Sequence, residues 1–164
     1  MNMIVAVDAG FGIAKNNDLP WHLPKEYAHF VQNVGEHPVQ ASTTQKSHQC
    51  CLEQNNGAKI DQQVVIANGL DEALTILTES ELFKDRLETI WNIGGKDIYA
   101  EGLDHPWMHK LVLTRIDQDY ECDLTFPDVK WEQFEKNDDF VGTEEEKYEE
   151  KGVIWKVTSY TKKK

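Results

Sequence analysis

The chain has 164 residues, 40% of them apolar, and a formal net charge of −12. That length suits one compact domain with a core large enough to need no staples. An acidic surface repels nucleic acid and anionic membranes, so neither is expected as a partner. Between Glu132 and Lys151 nine acids stand against three lysines, which reads as a solvated acidic rim.

Three cysteines, Cys50, Cys51 and Cys122, make an odd set with two neighbours in it. This points to a reducing, cytoplasmic setting without a disulfide framework. His48 beside Cys50 and Cys51 lacks the second ligand pair of a metal site, so no metal is expected. Met1–Val7 is too short for a secretory leader, and no apolar run approaches the roughly 20 residues of a membrane span.

Taken in order, Met3–Val7 is a continuous apolar, β-branched run, the pattern of a strand buried on both faces. Asp8 to Gly12 breaks it into a loop. Asn16-Asn17-Asp18 signals a turn, because Asn tolerates positive φ. Leu19-Pro20-Trp21 brings the chain back to an apolar surface. Pro24 suits the first turn of a helix running to about Asn33, with Tyr27, Phe30, Val31 and Val34 as its apolar stripe. Glu26 flanks that stripe. Read from position alone, it is an acid compensating the helix dipole or a group at work in a site.

Residues 35–63 are rich in Gln, Ser, Thr and Asn and lack periodicity. They read as a disordered or poorly packed insertion without an assignable strand. Val64–Ala67 then reads as a short buried strand. Asn68-Gly69 turns the chain, and Asn68 or Asp71 is placed to cap a helix through Ala73–Leu77. Thr89–Ile93 is a further buried strand that runs into Gly94-Gly95 and a helical KDIYAEGL. Lys110–Thr114 is a strand continued by Arg115-Ile116, and Val153–Tyr160 is a final edge or antiparallel strand. Strands interleaved with helices imply an α/β fold: a single domain, a mostly parallel central sheet flanked by helices, and an antiparallel hairpin at the C-terminal edge. Ligands of such sheets bind at the carboxyl ends of strands, here after Val7 and at Gly94-Gly95.

Several of these stretches occur together in one known family. The IVAV strand, the G-x-G-I loop, the LPW turn and the acid five positions after Trp21 resemble the N-terminus of dihydrofolate reductases. WNIGGKDIY at Trp91–Tyr99, LDEAL at Leu70–Leu74, LTRI at Leu113–Ile116 and DLTFP at Asp123–Pro127 follow in that family's order. The resemblance spans residues 3–34 and roughly 64–160.

It implies reduction of 7,8-dihydrofolate by NADPH, within one-carbon metabolism, by a monomer that also takes antifolate inhibitors. Glu26 would grip the pteridine amino group and N3 and relay a proton to N5, with Thr114 supporting it and Trp21 in the closing loop. Ile4, Val5, Ala6, Tyr27, Phe30 and Ile93 would line the substrate pocket. Ala6, Ile13, Leu19, Gly94, Gly95, Lys96, Asp97, Ile98 and Tyr99 would hold the cofactor.

Residues 35–63 lack the family's G-[RK]-x-T and L-[ST]-R motifs, and no arginine precedes Arg86. Ala14 and Asn17 stand where the family often has glycine. Three readings follow: a reductase with a divergent middle segment, a relative that keeps the pteridine wall without the cofactor grip, and a nucleotide-phosphate binder using Gly94-Gly95 alone.

Overall fold

Val and Ile branch at Cβ, which favours an extended backbone packed on both faces. In the computed structural model of the protein the first such run is β1 (Asn2–Val7), with Met3, Ile4, Val5 and Val7 all buried. The structure describes residues 1–34, 39–43, 50–54, 63–81, 83, 87, 89–137 and 147–164, and at 39–43, 50–54 and 63–65 it describes the backbone path.

After β1 come β2 (Gly12–Ala14), α1 (Pro24–Val34), β3 (Val39–Thr43), β4 (Cys50–Gln54) and β5 (Gln63–Ala67). They are followed by α2 (Leu70–Glu79), β6 (Ile90–Asn92), α3 (Lys96–Asp104), β7 (Lys110–Ile116) and β8 (Leu124–Thr125). A 3-10 turn at Trp131–Gln133 leads to β9 (Phe134–Asn137), β10 (Tyr148–Glu150) and β11 (Val153–Lys162).

The main sheet runs β10-β11-β7-β1-β6-β3-β4-β5, with β9 also on β11. Its centre, β7-β1-β6-β3, is parallel, as the interleaved helices imply. β11 enters antiparallel to β7 and carries β10 and β9, so the last strand is an interior one. The other end, β3-β4-β5, is also antiparallel, and the sheet as a whole is mixed. Only residues 44–49 and 55–62 connect those strands, fewer than the dozen or so that a parallel crossover needs.

Three expectations are corrected here. The segment 35–63 contains β3, β4 and the first residue of β5, although its composition suggested no strand. Its remaining residues, 35–38, 44–49 and 55–62, lie outside the described ones, as does His48. In addition, neither Asn68 nor Asp71 caps α2. Gly69 holds that position without a side-chain bond, while the Asn68 N–H and Nδ2 donate to Glu72 at 2.6 and 2.8 Å. Ile66, in a stretch that reads as buried, is 60% exposed, because β5 is the edge of the sheet.

Alternation along β1 sends its side chains to two cores. Met3, Val5 and Val7 pack with Leu111, Leu113, Tyr99, Leu103 and Phe126. Ile4 packs on the other face with Trp21, Leu23, Val34, Trp91 and Trp155. Leu70, Leu74 and Leu77 of α2 form a third cluster with Phe83, Ile90 and Ile98. Among the described residues no helix is long and apolar enough to cross a membrane, and no group of three metal-ligating side chains is present.

Candidate active site

β1, α1 and the Gly94-Gly95 junction enclose a cavity of about 350 Å³. Ile4, Val5 and Ala6 of β1 form its back wall. Ile13, Ala14, Leu19 and Trp21 come from the loop after β1, and Glu26, Tyr27 and Phe30 from α1. Ile93, Gly94, Gly95 and Tyr99 close the far side, with Leu124. Ala14 and Leu124 were not anticipated from the sequence. They meet because β2 pairs with β8, a contact between residues far apart in the chain.

The apolar stripe of α1 plays a different part from the usual one. Tyr27 is 62% exposed and Phe30 half-buried, whereas Glu26, beside the stripe, is 8% exposed. Tyr27 and Phe30 stack on each other, with ring centroids 6.0 Å apart. A stripe that faces an open cavity has the same spacing as one that faces a core, so periodicity alone does not separate the two.

Glu26 forms the polar point of an apolar cavity. Burial is the main influence on its carboxyl and raises it. A hydrogen bond from the Thr114 hydroxyl pulls it back, the charge of Glu150 pushes it up again, and the balance stands at about 7. Thr114 is itself buried, on β7 opposite Ala6 of β1. The carboxyl therefore changes charge near neutral pH, where a proton-transfer group works best.

The loop after β1 is held by a residue that sequence reasoning passed over. Asp8 Oδ1 accepts from the N–H of Gly10 at 2.9 Å and of Gly12 at 2.6 Å. Its Oδ2 accepts from the Tyr120 N–H at 3.1 Å and the Cys122 thiol at 3.3 Å. Burial pushes the Asp8 carboxyl up, but the bonds from Tyr120, Gly12, Cys122 and Gly10 together hold it below its ordinary value. Further along, the Asn16 N–H donates to Asp123 at 2.8 Å, and Asn16 and Asn17 both adopt positive φ, as the turn signal implied. Trp21 then folds inward against Tyr120 at 5.5 Å between ring centroids.

Asn92 organises the glycine junction. This fully buried side chain donates to the Ile98 carbonyl at 2.8 Å and accepts from the Gly94 N–H at 3.1 Å. The signal available in the sequence was a lone amide in an apolar strand, with one residue between it and two glycines. Gly94 has φ +114, and an added Cβ would lie 2.9–3.0 Å from the Tyr99 ring. Bare backbone thus forms this part of the wall, ahead of the N-terminus of α3.

The remaining candidates stand outside the cavity wall. Lys96 and Asp97 are exposed in the first turn of α3, and Ile98 is buried in the α2 cluster. Arg115, the one arginine among the described residues, lies over the Phe11 ring at 5.1 Å on the other side of the sheet.

The family model for dihydrofolate reductase matches residues 1–161. The dihydrofolate reductase of Rattus norvegicus is 30% identical over 183 residues, covering 99% of this chain and 97% of the relative. That of Sus scrofa is 30% identical over 182 residues with the same coverage. Both alignments are longer than the 164 residues of this chain, so part of each relative has no counterpart here. In fold, the structure of Schistosoma mansoni dihydrofolate reductase matches with a TM-score of 0.68 at 22% identity, covering 98% of this chain and 96% of that one. With its mixed α/β sheet and its carboxyl-floored cavity, the chain belongs to the dihydrofolate reductase family.

Proposed function

We propose that the protein reduces 7,8-dihydrofolate to 5,6,7,8-tetrahydrofolate with NADPH, as a cytoplasmic monomer open to antifolate inhibitors. The observation that carries this reading is Glu26, a buried carboxyl titrating near 7 at the floor of an apolar cavity. Such a group donates and accepts hydrogen bonds to a heterocycle and passes it a proton at neutral pH.

Ile4, Ala6, Ile93 and Phe30 give flat apolar surface for a pteridine, with Tyr27 at the rim. Glu26 hydrogen-bonds the amino group and N3 of the ring, and Thr114 fixes the orientation of its carboxyl. Proton delivery to N5 runs from this carboxyl. Leu19, 58% exposed at the cavity edge, closes with Trp21 over the reacting rings and excludes water.

The junction at Gly94-Gly95 fits a nicotinamide dinucleotide. A Cβ at Gly94 would run into the Tyr99 ring, so this wall stays bare backbone, and a helix start favours an anion. When bound, NADPH supplies the hydride that goes to pteridine C6. Ile13, Leu19 and Tyr99 would face its nicotinamide end. Lys96, Asp97 and Ile98 would contribute through the backbone of the first turn of α3. Cys122 is a free thiol pushed up to about 11, chiefly by burial and then by Asp8, which suits an inert group in a reducing compartment.

A second reading is a relative that binds folates without turning them over. It is favoured by the absence of arginine from residues 1–85 and by the length that the relatives have and this chain lacks. Absorbance at the nicotinamide band with NADPH and dihydrofolate separates the two. Decay of the band supports the reductase. Antifolate binding without decay supports the second reading.

A further inference from the structure

β10 is a three-residue strand at one end of the sheet, and its last residue reaches across to the helix that carries Glu26. Glu150 Oε2 accepts from the Lys25 N–H at 2.9 Å. Lys25 is the second residue of α1, so this bond satisfies one of the N–H donors a helix leaves open at its start. The next residue, Lys151, donates from Nζ to the His22 carbonyl at 3.1 Å. It and Gly152 adopt positive φ and turn the chain into β11. There Trp155 stacks on Tyr148 at 4.3 Å and meets the His29 ring of α1 at 6.0 Å. The hairpin therefore touches the segment carrying Glu26 at His22, Lys25 and His29, on both sides of that residue.

We propose that Glu150 is a positioning residue for Glu26: through it the β10–β11 hairpin holds the first turn of α1 and sets a second carboxylate beside the one in the cavity. This rests on the reading of Glu26 as the proton-handling group. A first-turn acid normally serves the open N–H groups of its own helix. In α1 that task falls to Glu150, from another strand, and Glu26 is left to face inward.

The arrangement has an electrostatic consequence. Like charges close together disfavour ionisation of the more buried one. Glu26 is raised first by burial, Thr114 of β7 opposes this, and Glu150 adds to the rise. The other titratable groups around it are engaged elsewhere: Lys151 at the His22 carbonyl, His29 against Trp155, and Tyr120 against Trp21. His22 and Lys25 flank it on the approach to α1 and in its first turn, and both side chains point to solvent. Glu150 is half-buried, so solvent screens it incompletely.

Glu150→Gln tests this, since Gln keeps an oxygen to accept from Lys25 and loses the charge. The carboxyl of Glu26 is titrated by carbon-13 NMR of glutamate-labelled protein, with Glu26→Gln supplying the assignment and circular dichroism confirming the fold. The midpoint falls by more than about 0.3 pH unit, a twofold change in proton affinity, and the high-pH limb of kcat moves with it. Glu150→Asp, which keeps a charge, leaves the midpoint within that margin or moves it less than Gln does. A Glu150→Gln midpoint equal to wild type in folded protein overturns the proposal. The NMR titration needs no turnover, so failure of the reductase reading shows separately, as a shifted midpoint in a protein that oxidises no NADPH.

Discussion

The Tyr99 hydroxyl donates a 3.0 Å hydrogen bond to the Ile4 carbonyl. It joins two stretches 95 positions apart in sequence and makes β1 and the glycine junction one continuous wall. Tyr99 is buried, and burial pushes its hydroxyl well above the ordinary range, so it remains a donor at every working pH. Tyr99→Phe keeps the ring against Phe126 and removes the donor. The expected loss is about 1 kcal/mol, read as a lower Tm, with weaker cofactor binding because the Gly94 wall is no longer pinned. An unchanged Tm would mean that the bond contributes nothing.

Asp8 makes a stronger test of the loop. Its carboxylate serves four donors from two segments, so Asp8→Ala removes the acceptor of the buried Gly12 N–H and of the part-buried Gly10 and Tyr120 N–H groups. About 3 kcal/mol or more of destabilisation is expected in urea titration. Its native pKa is lowered, so the stabilisation is fully present above the unfolded value and is lost as pH falls below 3.8. The wild type should therefore lose its advantage over Asp8→Ala at acid pH. A difference that grows there would contradict this account.

Asn92→Leu is close in volume and removes both the bond to the Ile98 carbonyl and the acceptor for the Gly94 N–H. The buried Gly94 N–H loses its acceptor, at about 1–3 kcal/mol, while the Ile98 carbonyl stays within the ladder of α3. Weaker NADPH binding should accompany the fall in stability, with dihydrofolate binding less affected. Equal loss of both ligands would place Asn92 in general stability rather than at the junction.

These residues show where the sequence was readable. β1, the LPW turn, α1 and the Trp91–Tyr99 motif are local, and neighbouring residues carry their signals. Asp8 and Glu150 act through partners brought in by the sheet, and no local pattern announces an acid that binds a loop 112 positions away. Tyr27 and Phe30 read as an ordinary apolar face because a ligand cavity and a core ask for the same side chains. β3 and β4 escaped notice for another reason. Val39-Gln40-Ala41-Ser42 alternates too briefly among polar neighbours to mark a strand, and pairing with β6 and β5 makes these segments strands.

In the proposed mechanism Glu26 trades stability for chemistry. Its pKa rises from an ordinary 4.5 to about 7 on folding, so the folded state binds the proton more tightly. That contribution is fully present below 4.5 and is lost as pH rises through 7, a span worth about 3 kcal/mol. Glu26→Gln should therefore match wild type at pH 4 and be more stable than it at pH 8, by up to that amount. Thr114→Val removes the bond that favours the ionised form, so the Glu26 midpoint should rise above 7. A midpoint that falls instead would remove Thr114 from the site.

The most direct test of the central claim is the rate of NADPH oxidation with dihydrofolate, followed across pH for wild type and Glu26→Gln. Turnover in the wild type should decline as pH rises through about 7, as the carboxyl loses its proton. The variant should be slower at neutral pH by about 10²- to 10⁴-fold and should lack that limb. Folded wild-type protein that oxidises no NADPH, or a Gln variant that matches wild type at neutral pH, would contradict the account.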